Sequence, residues 1–219
     1  MQKVFKEKEL FIKEIKKYNI VLIVGHGSKN QYKRDKLKEL KSCLKNDIKY
    51  LNDEYSKNWI AIYGGDNYNE ETPDIGYIIN ILNKENVKTA TVQSKYCEEN
   101  KWYVDKYIDF VYYTNTTYNI DNNIIWGGFY NGNPAGPTKI YLEEFINLGI
   151  LKKVYAIGGG KISKEEVQYA LNNNIDIIYR RFEVENKVED EHINDNIKNY
   201  GFIEELVEDN KYKDKIKIL

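Results

Sequence analysis

Two kinds of apolar pattern alternate along the chain. Runs rich in aliphatic, aromatic and β-branched residues occur at Ile20–Val24, Trp59–Tyr63, Thr89–Gln93, Phe110–Tyr113, Val154–Ile157 and Ile175–Tyr179, only the last interrupted by a charge, Asp176. Such runs read as strands, and the continuously apolar ones as strands buried on both faces of a parallel sheet. Between them, apolar residues recur every three or four positions, the period of a helix with one buried face. The pattern predicts helices over 5–17 (Phe5, Leu10, Phe11, Ile15) and 34–50 (Leu37, Leu40, Leu44, Ile48, with lysines opposite). Three more follow: 74–83 behind Pro73, 138–145 opened by Pro137-Thr138 and closed at Gly149, and 163–171.

Strands alternating with helices predict an α/β protein with a doubly wound, mostly parallel sheet flanked by helices. We expect one domain over 1–219, with a core of about 19–183 and a C-terminal appendage of about 184–219. After Glu183 apolar density falls, and the acidic run Glu185–His192 and the Lys-rich C-terminus read as peripheral. The least regular stretch, 114–137, is rich in Asn, Gly and Thr.

Composition narrows the partners. Lys+Arg 33 and Asp+Glu 34 leave a net charge of −1, without the basic footprint that nucleic-acid binding leaves, so no nucleic-acid partner is expected. Two cysteines, Cys43 and Cys97, with no CxxC, fit a reducing compartment and no structural zinc site. The charged N-terminus has no signal-peptide core, and no apolar run nears the ~20 residues of a membrane span. A cytoplasmic protein is expected, without membrane association. Its 20 tyrosines follow a Lys/Asn/Ile/Tyr-rich composition, and those at 112, 113, 118 and 130 could stack on a base.

Candidate chemistry lies where strands end. Glycine turns follow three of the runs: Gly25-His26-Gly27-Ser28, Gly64-Gly65-Asp66 and Gly158-Gly159-Gly160. Glycine allows a sharp turn and close backbone approach to a ligand, and such turns would line the rim where open α/β sheets bind phosphorylated ligands. In the third, Ser163 and Glu166 have the spacing of a helix-capping box, which needs no ligand, as well as that of a phosphate cradle. Asp66 suits a ribose hydroxyl, a metal-bound water or its own backbone turn. Arg180-Arg181 either reaches a phosphate on the same rim or, the favoured reading, pairs with the acidic run that follows.

Gly159-Gly-Lys-Ile-Ser-Lys-Glu-Glu166 resembles the GGxGTxxE motif of the LOG-type (lysine-decarboxylase-like) nucleotide phosphoribohydrolases, within the SLOG group of Rossmann-like proteins. The resemblance follows the order of elements over roughly 19–183 and implies a Rossmann-like fold. Gly159 and Gly160 match the paired glycines, Ser163 the threonine and Glu166 the glutamate, while Ile162 replaces the central glycine. It implies that Gly158, Gly159, Gly160 and Ser163 cradle a nucleotide phosphate and that Glu166 helps cleave an N-glycosidic bond. The second strand-end turn of the group is similar to Gly64, Gly65 and Asp66. Family members carry an Arg or Lys pair before the motif strand. Thr138-Lys139 occupies that place without an arginine, which makes Lys139 the second catalytic candidate and Thr138 a ligand-binding one. Gly127 and Gly128, in the loop ahead of that helix, join the ligand-binding set.

Gly25-His26-Gly27-Ser28 fits two resemblances: the first turn of the SLOG group, and the opening of class II chelatases of the sirohydrochlorin type, whose histidine binds metal. The only other histidine, His192, lies in the acidic run, so no metal site is expected. The resulting expectation is a nucleotide-binding protein, either an N-glycoside hydrolase or transferase on a nucleoside phosphate or a non-catalytic nucleotide sensor on the same fold. A metal-dependent chelatase using His26 is the third alternative. No cofactor is implied, and a homodimer is the oligomer anticipated.

Overall fold

The computed structural model describes residues 1–27, 31–65, 71–101, 104–115, 122–185 and 194–219. Its centre is an eight-stranded sheet in which every pairing is parallel. Strand β2 (Asn19–Gly25) has β3 (Trp59–Tyr63) on one side and β8 (Leu151–Ile157) on the other. Outward from β3 lie β4 (Lys88–Ser94), β5 (Phe110–Thr114) and, at the edge, β1 (Lys3–Phe5). Outward from β8 lie β9 (Ile177–Arg180) and β10 (Ile216–Ile218). A separate small hairpin joins β6 (Phe129–Tyr130) to β7 (Asn133–Pro134). The protein is an α/β, Rossmann-like doubly wound fold.

Alternation along β2 shows why both faces are covered. Ile20, Leu22 and Val24 enter one apolar cluster with Phe11 and Ile15 of α1 (Lys8–Ile15) and Val167 and Leu171 of α6 (Lys161–Asn172). Val21 and Ile23 enter the other, with Leu40 and Leu44 of α2 (Leu37–Glu54) and Ile78 and Leu82 of α3 (Ile75–Lys84). Successive residues of a strand point to opposite faces, so an unbroken apolar run demands helices on each side. Asp74 starts α3 by accepting a hydrogen bond from the Gly76 N–H at 2.9 Å. A short α4 (Lys95–Glu99) follows β4.

Several local expectations change. Phe5 belongs to β1, opposite Tyr112, and Phe11 of α1 meets its ring edge-on at 5.5 Å, so the predicted first helix begins only at Lys8. The helix after Pro137 is π-helical over Lys139–Glu144 before continuing as α5 (Phe145–Asn147). Beyond Glu183 the chain forms α7 (Asp195–Tyr200) and α8 (Glu204–Glu208), and Ile203 just before α8, Leu206 within it, Tyr212 after it and Ile216 of β10 join the first cluster.

Among the described residues, Arg180 and Arg181 pair with buried carboxylates of the fold; the acidic run they were expected to meet lies, beyond Glu185, outside the described residues. Arg180 forks onto Asp47 of α2, donating from Nε at 2.9 Å and from Nη2, and the Tyr155 hydroxyl donates to the same carboxylate. Arg181 forks onto Glu204 of α8 from Nε at 2.8 Å and Nη2 at 2.6 Å, with the Tyr179 hydroxyl donating at 2.7 Å. The side chains leave opposite faces of the strand end and find carboxylates that α2 and α8 have already buried. Among the described residues, no helix is long and apolar enough to cross a membrane.

Candidate functional site

The direction of chain progression reverses between β2 and β8, and at such a switch point the loops leaving the strand ends diverge and open a crevice. A cavity of about 730 Å³ lies there. Gly25 at the end of β2 and Gly27 beyond it, Gly64 and Gly65 after β3, and Gly160 after β8 line it, as do Gly127 and Gly128 of the irregular segment. Trp126 and Ile162, both about half exposed, add apolar wall, with Ile75 at the start of α3. Tyr96 of α4 meets the Trp126 ring edge-on at 5.1 Å.

The turn from β8 into α6 sets the geometry of one wall. Gly158 (φ 58°) and Gly159 (φ 143°) take conformations that side chains rarely adopt, and a Cβ on Gly158 would lie 2.0 Å from His26 Nε2. The chain therefore turns early, and α6 begins at Lys161 with Gly160 as N-cap and no side-chain cap. The capping box read from Ser163 and Glu166 does not form. Ser163 is the third helical residue, and its hydroxyl donates to the Gly25 carbonyl at 2.8 Å, tying α6 to the end of β2. Ile162 is helical, so the residue replacing the family's glycine meets no left-handed requirement here. A Cβ built on Gly27 or Gly160 meets nothing within 4 Å, and neither has a positive φ. Space at the cavity, not backbone strain, distinguishes these two glycines.

Glu166 lines the cavity at 7% exposure. Its Oε1 accepts from the Tyr141 hydroxyl at 2.5 Å. That hydroxyl is 2.8 Å from Thr138 Oγ1, which accepts from the Gly128 N–H at 2.6 Å. Burial pushes the Glu166 carboxyl up to about 7; the Tyr141 hydrogen bond draws it back in part, and Glu165 adds to the rise. Burial, reinforced by the neighbouring Glu166, also holds the Tyr141 phenol well above its ordinary value, so it remains a donor. A Cβ on Gly64 would lie 2.7 Å from the Tyr141 hydroxyl, so a glycine there lets the phenol reach Glu166. A carboxyl titrating near neutrality in a concave, glycine-lined site can give or take a proton.

No protein-family model and no curated protein matches the chain.

Of the candidates read from the sequence, Gly25, Gly27, Gly64, Gly65, Gly127, Gly128, Gly160, Ser163 and Glu166 share this cavity. Gly158, Gly159 and His26 are not among its lining residues. His26 is 1% exposed; its Nε2 accepts from the Gly159 N–H at 3.2 Å, and its carbonyl accepts from the Ile75 N–H at 2.8 Å. Burial lowers its pKa to about 3, with the Tyr200 carbonyl acting in the opposite direction, so the ring stays neutral. Thr138 is fully buried and serves Tyr141 and Gly128. Lys139 lines a different opening of about 900 Å³, with Tyr112, Tyr130 and the Lys8–Glu144 ion pair. Ser28, Asp66, Tyr118 and His192 lie outside the described residues.

Among the described residues, no group of three or more His, Cys, Asp or Glu could hold a metal ion. Tyr141 escaped the sequence reading. Its signal was a tyrosine three residues after Thr138 on a helix expected to pack beside the glutamate's helix.

Proposed function

We propose that the chain binds a nucleotide or nucleotide-derived ligand in the cavity at the β2/β8 switch point and cleaves or transfers its N-glycosidic bond. The observation that carries the reading is Glu166, a buried carboxyl with a raised pKa inside a wall of strand-end glycines. The cavity volume falls in the range of small-molecule sites. The start of α6, without a side-chain cap, offers N–H groups to a phosphate, and Trp126 with Ile162 offers an apolar surface to a base. In hydrolysis, water attacks C1′ and passes a proton to Glu166, the C1′–N bond breaks, and the base leaves with the electron pair and takes up a proton. A carboxylate also stabilises the oxocarbenium-like transition state.

The test is incubation with nucleosides and nucleoside mono-, di- and triphosphates, followed chromatographically for free base. Release should fall by at least ~100-fold in Glu166→Ala. Release that survives this substitution removes Glu166 from the reaction.

The sensor reading keeps one observation of its own. Lys139, the cation that the family resemblance pairs with the glutamate, lines the other opening. Thermal stabilisation by a nucleotide without base release would favour that reading.

A further inference from the structure

We propose that Tyr141, held by Thr138 and Gly128, commits Glu166 Oε1 to accepting a hydrogen bond in both protonation states, so that the exchangeable proton of Glu166 is carried on Oε2, the oxygen open to the cavity. Tyr141 is then a positioning residue that aims the proton at the ligand. The argument follows from counting protons along the chain. The Gly128 N–H can only donate, so Thr138 Oγ1 is its acceptor. Tyr141 has one hydroxyl proton and gives it to Glu166. The contact between Thr138 and Tyr141 therefore uses the threonine's proton. Each hydroxyl is used once and in one direction, towards Oε1.

Protonating Oε1 would set two protons face to face or require both hydroxyls to reverse, and reversal would leave the proton of the fully buried Thr138 hydroxyl without an acceptor among the described residues. Oε2 has no hydrogen-bond partner among the described residues, and it is not among the atoms buried without a partner, so it keeps access to the cavity. Among the described residues, the titratable and charged groups around Glu166 are few. Tyr141 comes from the π-helical stretch, Tyr63 of β3 lines the cavity, and Lys161 and Glu165 belong to α6. The Lys161 ammonium lies over the Phe202 ring at 5.4 Å. None of the others supplies a second described donor to the carboxyl.

The proposal rests on the glycosidase reading only for its catalytic consequence, and its test needs no substrate. Protein labelled with ¹³C at glutamate carboxyls is titrated by NMR, with Glu166→Gln assigning the signal, and the protonated carboxyl is followed by pH-difference infrared spectroscopy. The wild-type midpoint should lie near 7. Tyr141→Phe should raise it by roughly one to two pH units, because the lost bond favours the charged form. The carboxylic C=O stretch should rise in the same variant, since that oxygen no longer accepts a hydrogen bond.

Thr138→Val should shift the midpoint in the same direction by less, and Thr138→Ser should restore the wild-type value. An unchanged or lowered midpoint in a folded Tyr141→Phe protein overturns the proposal. If that variant does not fold, identical titrations of the valine and serine variants at 138 overturn it. Base release can fail while this titration succeeds, or the reverse, so the two readings fail separately.

Discussion

Replacing Glu166 by glutamine should make the protein more stable at pH 8 while leaving it nearly unchanged at pH 5. Glu166 is raised from 4.5 to about 7 in the folded chain, chiefly by burial. Between those values the native state holds a proton that the unfolded state has released, so the contribution of this group to stability falls as pH rises through the window. At about 1.4 kcal/mol per pH unit, the ionised carboxylate costs the folded state about 3 kcal/mol by pH 8. Glutamine has no charge to desolvate, and its amide oxygen can still accept from Tyr141.

The gain should appear as a rise in Tm of about 6–12 °C for a chain of this size. His26 acts with the opposite sign. Its pKa falls from 6.5 to about 3, so its contribution is present above pH 6.5 and is lost as pH drops towards 3. The two slopes oppose each other between about pH 4.5 and 6.5, so the difference between variant and wild type carries the result. Denaturant unfolding of both proteins at pH 5, 6.5 and 8 measures it. A Glu166→Gln protein that is less stable at pH 8, or whose difference from wild type does not grow with pH, would refute the reasoning.

Gly27→Ala should leave unfolding free energy within about 0.5 kcal/mol of wild type, since the added Cβ meets nothing within 4 Å and the φ is not positive. Calorimetry with the nucleotide that most stabilises the wild type should show roughly tenfold weaker binding, and unchanged affinity would remove Gly27 from the site. Arg180→Met should cost about 3–5 kcal/mol in urea unfolding, because it leaves the Asp47 carboxylate buried without its partner. An Asp47→Leu, Arg180→Met double variant should recover most of that loss, and a single-variant cost below about 1 kcal/mol would contradict the account.

The strands were legible where burial on both faces leaves a continuous apolar run. Trp59–Tyr63 is the clearest, read with the ends that β3 has. β1 was not legible, because its three residues are strand only by pairing with β5, more than a hundred positions away. The glycines of the cavity were legible as strand-end turns. Where α6 starts was not, because the Ser-x-x-Glu spacing does not reveal that Gly158 and Gly159 hold the left-handed conformations that start the helix at Lys161. Thr138 and Lys139 show the same limit. They are adjacent in sequence, yet one side chain turns inward to Tyr141 and the other lines a separate opening. Which side each takes depends on helix phase, and the π-helical stretch at Lys139–Glu144 departs from the period on which sequence reading relies.

The turn that opens α6 is supported from the far end of the chain. The Phe202 N–H donates to the Gly159 carbonyl at 2.9 Å, and the Tyr200–Gly201 backbone packs against Gly158, Gly159 and His26. During synthesis, β2, β3 and β8 can pair before this segment has left the ribosome, but the Gly158–Gly160 wall lacks its backing until residue 202 has been added. The cavity is thus finished later than the strands that carry it, and a nascent chain stalled short of that point would hold β2, β3 and β8 without a completed site.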